Sequence, residues 1–180
     1  MTEQQNLTLL FKAITFAAEK HKFQKRKGQD KTPYINHPLQ VADLLIRVGG
    51  QTDVTLITAA ILHDTVEDTD ATMQDIENQF GKAVAVIVKE VTDDKSLPKE
   101  ERKRLQVETA PYKSDLAKML KLADKTCNVR DIVERPPNWT KQRKLDYLTW
   151  AEQVVEGVRG VNQPLEALFD EWIAKGRKIF

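Results

Sequence analysis

Apolar residues recur along most of this chain at three- and four-residue intervals, the period of an amphipathic helix. The first such stretch runs from near Asn6 to Phe23, with Leu10, Ile14 and Ala17 or Ala18 facing inward. Pro38 suits a first helical turn, which predicts a second helix over Pro38 to Val48, stopped by Gly49-Gly50. Asp53 can cap a third, which reaches His63 or a little beyond. Thr72 and Asp75 have the spacing of a capping box ahead of a short helix closed by Gly81. Val84, Ile87, Val88 and Val91 mark the next helix, and Pro98 opens another, with Glu100 and Glu101 against its N-terminal dipole. Ser114 caps a helix carrying Leu116, Leu120, Ala123 and Val129, which must end before Pro136-Pro137. Two more cover 140–158 and 164–175.

Composition narrows this to an all-α, single-domain fold over residues 1–180. The chain of 180 residues has seven glycines and is rich in Ala, Leu, Lys, Glu and Gln, with few alternating β-branched runs. A net charge of +1 argues against a dedicated binder of nucleic acid polymers. No segment approaches the about 20 apolar residues needed to span a bilayer, and MTEQQNLTLLFKAITF lacks the pattern of a signal peptide. The lone cysteine, Cys127, excludes an internal disulfide framework, so a cytoplasmic location is expected.

The third helix changes the picture from fold to chemistry. In ITAAILHDTVEDTD, residues 57–70, an almost wholly apolar run ends on four groups able to bind metal or move protons. Residues four apart share a helical face, so Glu67 stands one turn from His63 and Asp68 one turn from Asp64. Two further groups stand out: His37 in PYINHP, and Asp124 in MLKLADKTCN. Together His37, His63, Asp64 and Asp124 offer imidazole nitrogens and carboxylate oxygens suited to Mn²⁺, Fe²⁺ or Zn²⁺. Each residue alone has a plainer reading: an isolated histidine is more often hydrogen-bonded structure than a ligand, and Asp64 could cap a helix end.

The segments HKFQKRKGQDKTPYINHPLQVADLL, AAILHDTVEDT, VTDDKSLPKEERKRLQ and KLADKTCNVRDI resemble, in order, the motifs of the RelA/SpoT-type HD-domain hydrolases. More narrowly they are similar to the stand-alone small alarmone hydrolases, the group that includes the metazoan SpoT homologue. The likeness runs from about Phe11 to Glu156 and implies an HD-superfamily helical bundle. It leaves no sequence for an alarmone synthetase domain. It implies that His37, His63, Asp64 and Asp124 hold one Mn²⁺, and the shortage of histidines fits a single ion. It assigns Glu67 and Asp68 to the attacking water, in removal of the 3′-pyrophosphate of (p)ppGpp to give GDP or GTP. The sequence does not divide acid from base, although the face Glu67 shares with His63 puts it nearer the water.

A polyphosphate substrate needs cations gathered locally in a nearly neutral protein. Lys20 to Lys31 supplies six of them, and the resemblance singles out Arg26, to stack on guanine, and Lys27, to meet phosphate. The resemblance also implies Lys99 as a phosphate contact in a second cluster, in which Arg102, Lys103 and Arg104 read mostly as a solvated face laced with ion pairs. Asn128 matches a ribose contact and Tyr147 a residue near the phosphates, although Tyr147 also reads as a core aromatic beside Trp150. At 125–127 the chain departs from its relatives with Lys-Thr-Cys; Cys127 reads as a small core residue and His21 as a supporting residue rather than a ligand. The same residues would serve another HD phosphohydrolase, such as one removing the 2′-phosphate of NADPH. A non-catalytic alarmone-binding domain would be expected to lack a ligand or the ED pair, and neither is missing. Homo-oligomerisation through Trp139, Trp150 or the Phe180 end stays open.

Overall fold

Thr2 sets the first helix by a capping box: its hydroxyl accepts from the Gln5 N–H while the Gln5 side chain accepts from the Thr2 N–H. In the computed structural model, which describes residues 2–28 and 30–180, α1 therefore spans Glu3–Lys20, starting and ending about three residues earlier than the apolar period suggests. Ala17 is buried and Ala18 only partly so. The elements that follow are α2 (Asn36–Arg47), α3 (Val54–Leu62), α4 (Thr65–Asp68), α5 (Met73–Phe80) and α6 (Lys82–Val91). Next come α7 (Lys99–Thr109), a 3₁₀ turn (Ala110–Tyr112), α8 (Asp115–Glu134), α9 (Lys141–Glu156) and α10 (Gln163–Ile179). Among the described residues no β-strand forms, and Lys25 and Pro33 make one isolated antiparallel bridge. The fold is all-α.

The anticipated caps are present. Asp53 accepts from the N–H groups of Thr55 and Leu56, Thr72 and Asp75 form their capping box, and Ser114 accepts from Ala117. Gly81, at φ 89°, takes a left-handed conformation that lets α5 reverse directly into α6. Helix α2 begins two residues before Pro38, because the Asn36 and His37 N–H groups donate to the carbonyls of Pro33 and Tyr34.

Two helices make the centre. Helix α3 packs on α1, α2, α6 and α8, so it is apolar all round, with Leu56 through Leu62 buried without a break. Helix α8 packs on α2, α3, α6, α9 and α10, and buries most of its length. Leu56, Ile61, Leu62, Leu120 and Leu122 each contribute roughly 1.5–3 kcal/mol by burial, enough to offset holding several polar groups beside them. Helix α7 is the opposite case, with no buried residue.

Candidate metal and substrate site

Helix α3 closes at Leu62, one residue short of His63, and a turn at His63-Asp64 precedes the single turn of α4. His63 Nδ1 donates to the Ala60 carbonyl at 2.8 Å, satisfying one of the acceptors a helix end leaves open. That bond puts a proton on Nδ1, so a neutral ring presents Nε2 as a lone pair, and Nε2 is buried with no hydrogen-bond partner among the described residues. His37, in the first turn of α2, and Asp124, midway along α8, meet it there. One donor atom from each of these three residues lies within 4.8 Å of the others. Asp64 Oδ2 stands 3.2 Å from His63 Nε2 and 3.6 Å from His37 Nε2, and accepts the Tyr34 hydroxyl at 2.7 Å. The orphaned His63 nitrogen facing two carboxylates is the arrangement a divalent cation would complete, and His37, His63, Asp64 and Asp124 could hold one between them.

Charge in this knot is strongly biased. Burial alone would raise Asp64 and Asp124, yet the imidazoles, and for Asp124 foremost Lys125, hold both carboxyls well below the usual range. The histidines differ. Burial, with the Arg26 cation nearby, pulls His37 down. Burial also opposes the charged form of His63, but Asp64 and Asp124 outweigh it and push its pKa up to about 10. The pocket thus attracts positive charge at His63, which a metal ion would supply in place of a proton.

The next acids open onto a cleft of about 810 Å³ that is also lined by His37, His63, Asp64 and Asp124. Glu67 Oε2 accepts from the Asp93 N–H at 3.1 Å, and its Oε1 lies 3.7 Å from Lys95 Nζ and 3.9 Å from Arg102. Burial raises the Glu67 carboxyl above the ordinary value. Asp68 is gripped from two sides: Oδ1 by Lys95 Nζ at 2.6 Å and Oδ2 by Gln24 Nε2 at 3.3 Å.

All five expected substrate residues, Arg26, Lys27, Lys99, Asn128 and Tyr147, line this cleft. Arg26 is already engaged: Nε and Nη2 donate to Asp131 Oδ2 at 3.2 and 2.9 Å, and Nη2 to Asn128 Oδ1 at 2.7 Å. Its guanidinium lies over the Tyr34 ring, 5.4 Å from the centroid. Asn128 in turn donates to Asp124 Oδ1 at 2.6 Å, joining the cation to the His/Asp cluster. Tyr147 sits partly buried between Trp139 and Trp150, whose rings are 6.0 and 5.3 Å away.

The basic cluster of α7 divides differently from expectation. Arg104 does pair with Glu101 and Glu108 on the exposed face, but Arg102 and Lys103 join Lys99 in the cleft wall. A helix that buries nothing can turn one charged face to water and the other to a ligand, and sequence period cannot tell the two apart. Lys95 also went unnoticed, because TDDK reads as a solvated turn. Lys125, buried 3.2 Å from Asp124 Oδ2 and 4.6 Å from the Trp150 centroid, was given no role by the sequence reading. Cys127 lies in the core, and burial pushes its thiol up to about 12. Trp139 and Trp150 line the cleft.

The HD domain family matches residues 13–150. The guanosine-3′,5′-bis(diphosphate) 3′-pyrophosphohydrolase of Xenopus tropicalis is 56% identical over 163 residues, covering 90% of this chain and 91% of the relative. Its counterpart in Homo sapiens is 53% identical over 158 residues, covering 87% and 88%. A solved structure, described as a metazoan ortholog of SpoT that hydrolyzes ppGpp, matches with a TM-score of 0.91 at 46% identity, over 96% of this chain and 97% of that one. This chain belongs to the HD-domain family, in its branch of metazoan SpoT homologues.

Proposed function

We infer that the protein is a metal-dependent hydrolase that removes the 3′-pyrophosphate of (p)ppGpp, giving GDP or GTP, with Mn²⁺ as its single ion. The observation that carries this is the shared cleft: a His/Asp metal knot, two acids and a wall of Lys and Arg open on one space. It acts in the cytoplasm on a small nucleotide; none of its described helices is long and apolar enough to cross a membrane.

A bound divalent ion would acidify water and polarise a phosphoryl oxygen. The chain's own residues do the rest. The water oxygen forms a bond to the phosphorus attached at the ribose 3′ oxygen, and that P–O bond breaks to release pyrophosphate. One proton must leave the water and one must reach the 3′ oxygen, and Glu67 and Asp68 are the groups placed to carry them. Burial raises the Glu67 carboxyl above its ordinary value, the direction that favours holding a proton. Lys27, Lys99 and Lys95 meet the phosphate charge, while Arg26, Asn128 and Tyr147 position the nucleoside.

Purified protein incubated with ppGpp and with NADPH, each with Mn²⁺ or a chelator, tests the reading. Metal-dependent formation of GDP and pyrophosphate is expected. Inert ppGpp alongside phosphate release from NADPH would overturn it.

A further inference from the structure

The loop after α1 carries a group that none of the catalytic roles above uses. Gln24 lines the cleft, and both ends of its side-chain amide are engaged. Nε2 faces Asp68 Oδ2 at 3.3 Å, and Oε1 lies 2.6 Å from His21 Nδ1. An ionised carboxylate accepts only, so the amide must turn its NH₂ to Asp68 and its oxygen to His21. That oxygen also accepts only, so His21 must carry its proton on Nδ1. His21 is 2% exposed, lies against the Tyr34 ring with centroids 4.8 Å apart, and leaves Nε2 buried with no hydrogen-bond partner among the described residues. A buried unpartnered nitrogen is costly. It is tolerated where the opposite nitrogen is committed elsewhere. The backbone locks the same unit: the Gln24 N–H donates to the His21 carbonyl at 2.9 Å, and the Gln24 carbonyl accepts from Tyr34 at 3.0 Å.

We propose that Gln24, its amide orientation fixed by His21, is a positioning residue that holds the Asp68 carboxylate in its working orientation. The proposal rests on the hydrolase reading for its readout. Lys95 grips the other Asp68 oxygen, but it is an exposed cation that substrate phosphate can draw away, whereas Gln24 carries no charge and is tied down at both backbone bonds. Gln24 therefore keeps Asp68 aimed while phosphate competes for Lys95. Because Gln24 is an uncharged amide, it holds Asp68 without adding a charge to the cleft.

Gln24→Met keeps the length of the side chain and removes both hydrogen bonds. It is expected to lower kcat on ppGpp by about ten- to a hundredfold, the scale of one hydrogen bond to a charged group, with KM within about twofold of wild type. Gln24→Glu, which turns a negative oxygen on Asp68, should lose more, and it serves if the Met variant folds poorly. His21→Phe should reproduce the kcat loss, His21→Asn, whose amide NH₂ stands near the place of Nδ1, should recover most of it, and His21→Phe with Gln24→Met should lose no more than Gln24→Met alone. Unchanged kcat in Gln24→Met and Gln24→Glu, a rise in KM alone, or full additivity with His21→Phe would overturn the proposal. Assays on ppGpp and NADPH side by side separate the failures. A wild type active only on NADPH sinks the substrate reading, and the same comparison of variants is then made on NADPH.

Discussion

Helices α7 and α8 form two walls of one cleft and are built on opposite plans. Helix α8 is buried through most of its length, and its cleft carboxylates are engaged by protein: Asp124 by His37, His63 and Lys125, Asp131 by Arg26. Helix α7 buries no residue fully; it packs on α9, where Trp150 Nε1 donates to the Lys103 carbonyl, and is tied to the rest by Gln106 donating to Asp93 and Arg102 beside Glu67. One wall is organised before any ligand arrives; the other has charges that a ligand can complete. A chemical step needs groups held to a fraction of an ångström, while a polyphosphate chain is attracted well enough by cations that adjust. Substitutions on the α8 side should therefore act on turnover and stability, and those on α7 on substrate affinity.

Asp124→Ala is the harshest test. It removes a carboxylate that touches both histidines, Lys125 and Asn128, so bound metal, assayed by elemental analysis, should be lost and turnover abolished. A metal-replete, active Asp124→Ala protein would break the ligand assignment. Glu67→Gln comes next, with metal retained and kcat down by about 10²–10⁴-fold. Its stability carries a sign of its own. Burial raises the Glu67 carboxyl in the folded state, so the folded chain holds that proton more tightly than the unfolded one. The resulting stability is complete below the ordinary carboxyl value and is lost as pH rises through the folded value. Glutamine does not titrate, so Glu67→Gln should gain Tm relative to wild type between acid and neutral pH, measured by thermal melts at each pH.

Lys125→Met asks whether the α8 charges are wired into the core. Breaking a buried pair by removing one partner costs about 3–5 kcal/mol. Here the histidines remain beside Asp124, so a loss near the low end is expected, read as a fall in Tm of about 2–4 °C per kcal/mol for a chain of this size. A similar loss from Lys103→Met, whose ammonium also lies over Trp150 but pairs with no carboxylate among the described residues, would erase the distinction between the two walls.

What could be read in advance follows the same division. The buried elements announced themselves, because α3 must be apolar on every side and α8 must carry a stripe that Ser114 starts and Pro136 stops. His37, His63 and Asp124 were legible as a donor set, but their convergence was not readable from spacing, because three separate helical segments supply them. Helix ends moved by two or three residues where caps outside the apolar pattern, such as Thr2 and the Pro33 carbonyl, decide the boundary. Lys95, Arg102 and Lys103 were missed or set aside, since a cation on a polar stretch has the same local sequence whether it faces water or a cleft. Gln24 was invisible for a related reason: its role depends on Asp68, 44 residues away.

The smallest expected effect is on the open wall. Lys99 is exposed, lines the cleft and makes no ion pair among the described residues, so its removal should leave the fold intact. Lys99→Ala should keep Tm within a degree or two and raise KM for ppGpp about tenfold, the loss of one charge-assisted phosphate contact, with kcat little changed. Because that charge is exposed, salt screens it: raising ionic strength through 0.15 M shortens the reach of the field to about 8 Å. Wild-type KM should climb with salt, and Lys99→Ala should climb less steeply, since it has one cation fewer to screen. A Lys99→Ala enzyme that loses kcat instead, with an unaltered salt slope, would mean that α7 is as finely placed as α8 and that the two walls work as one.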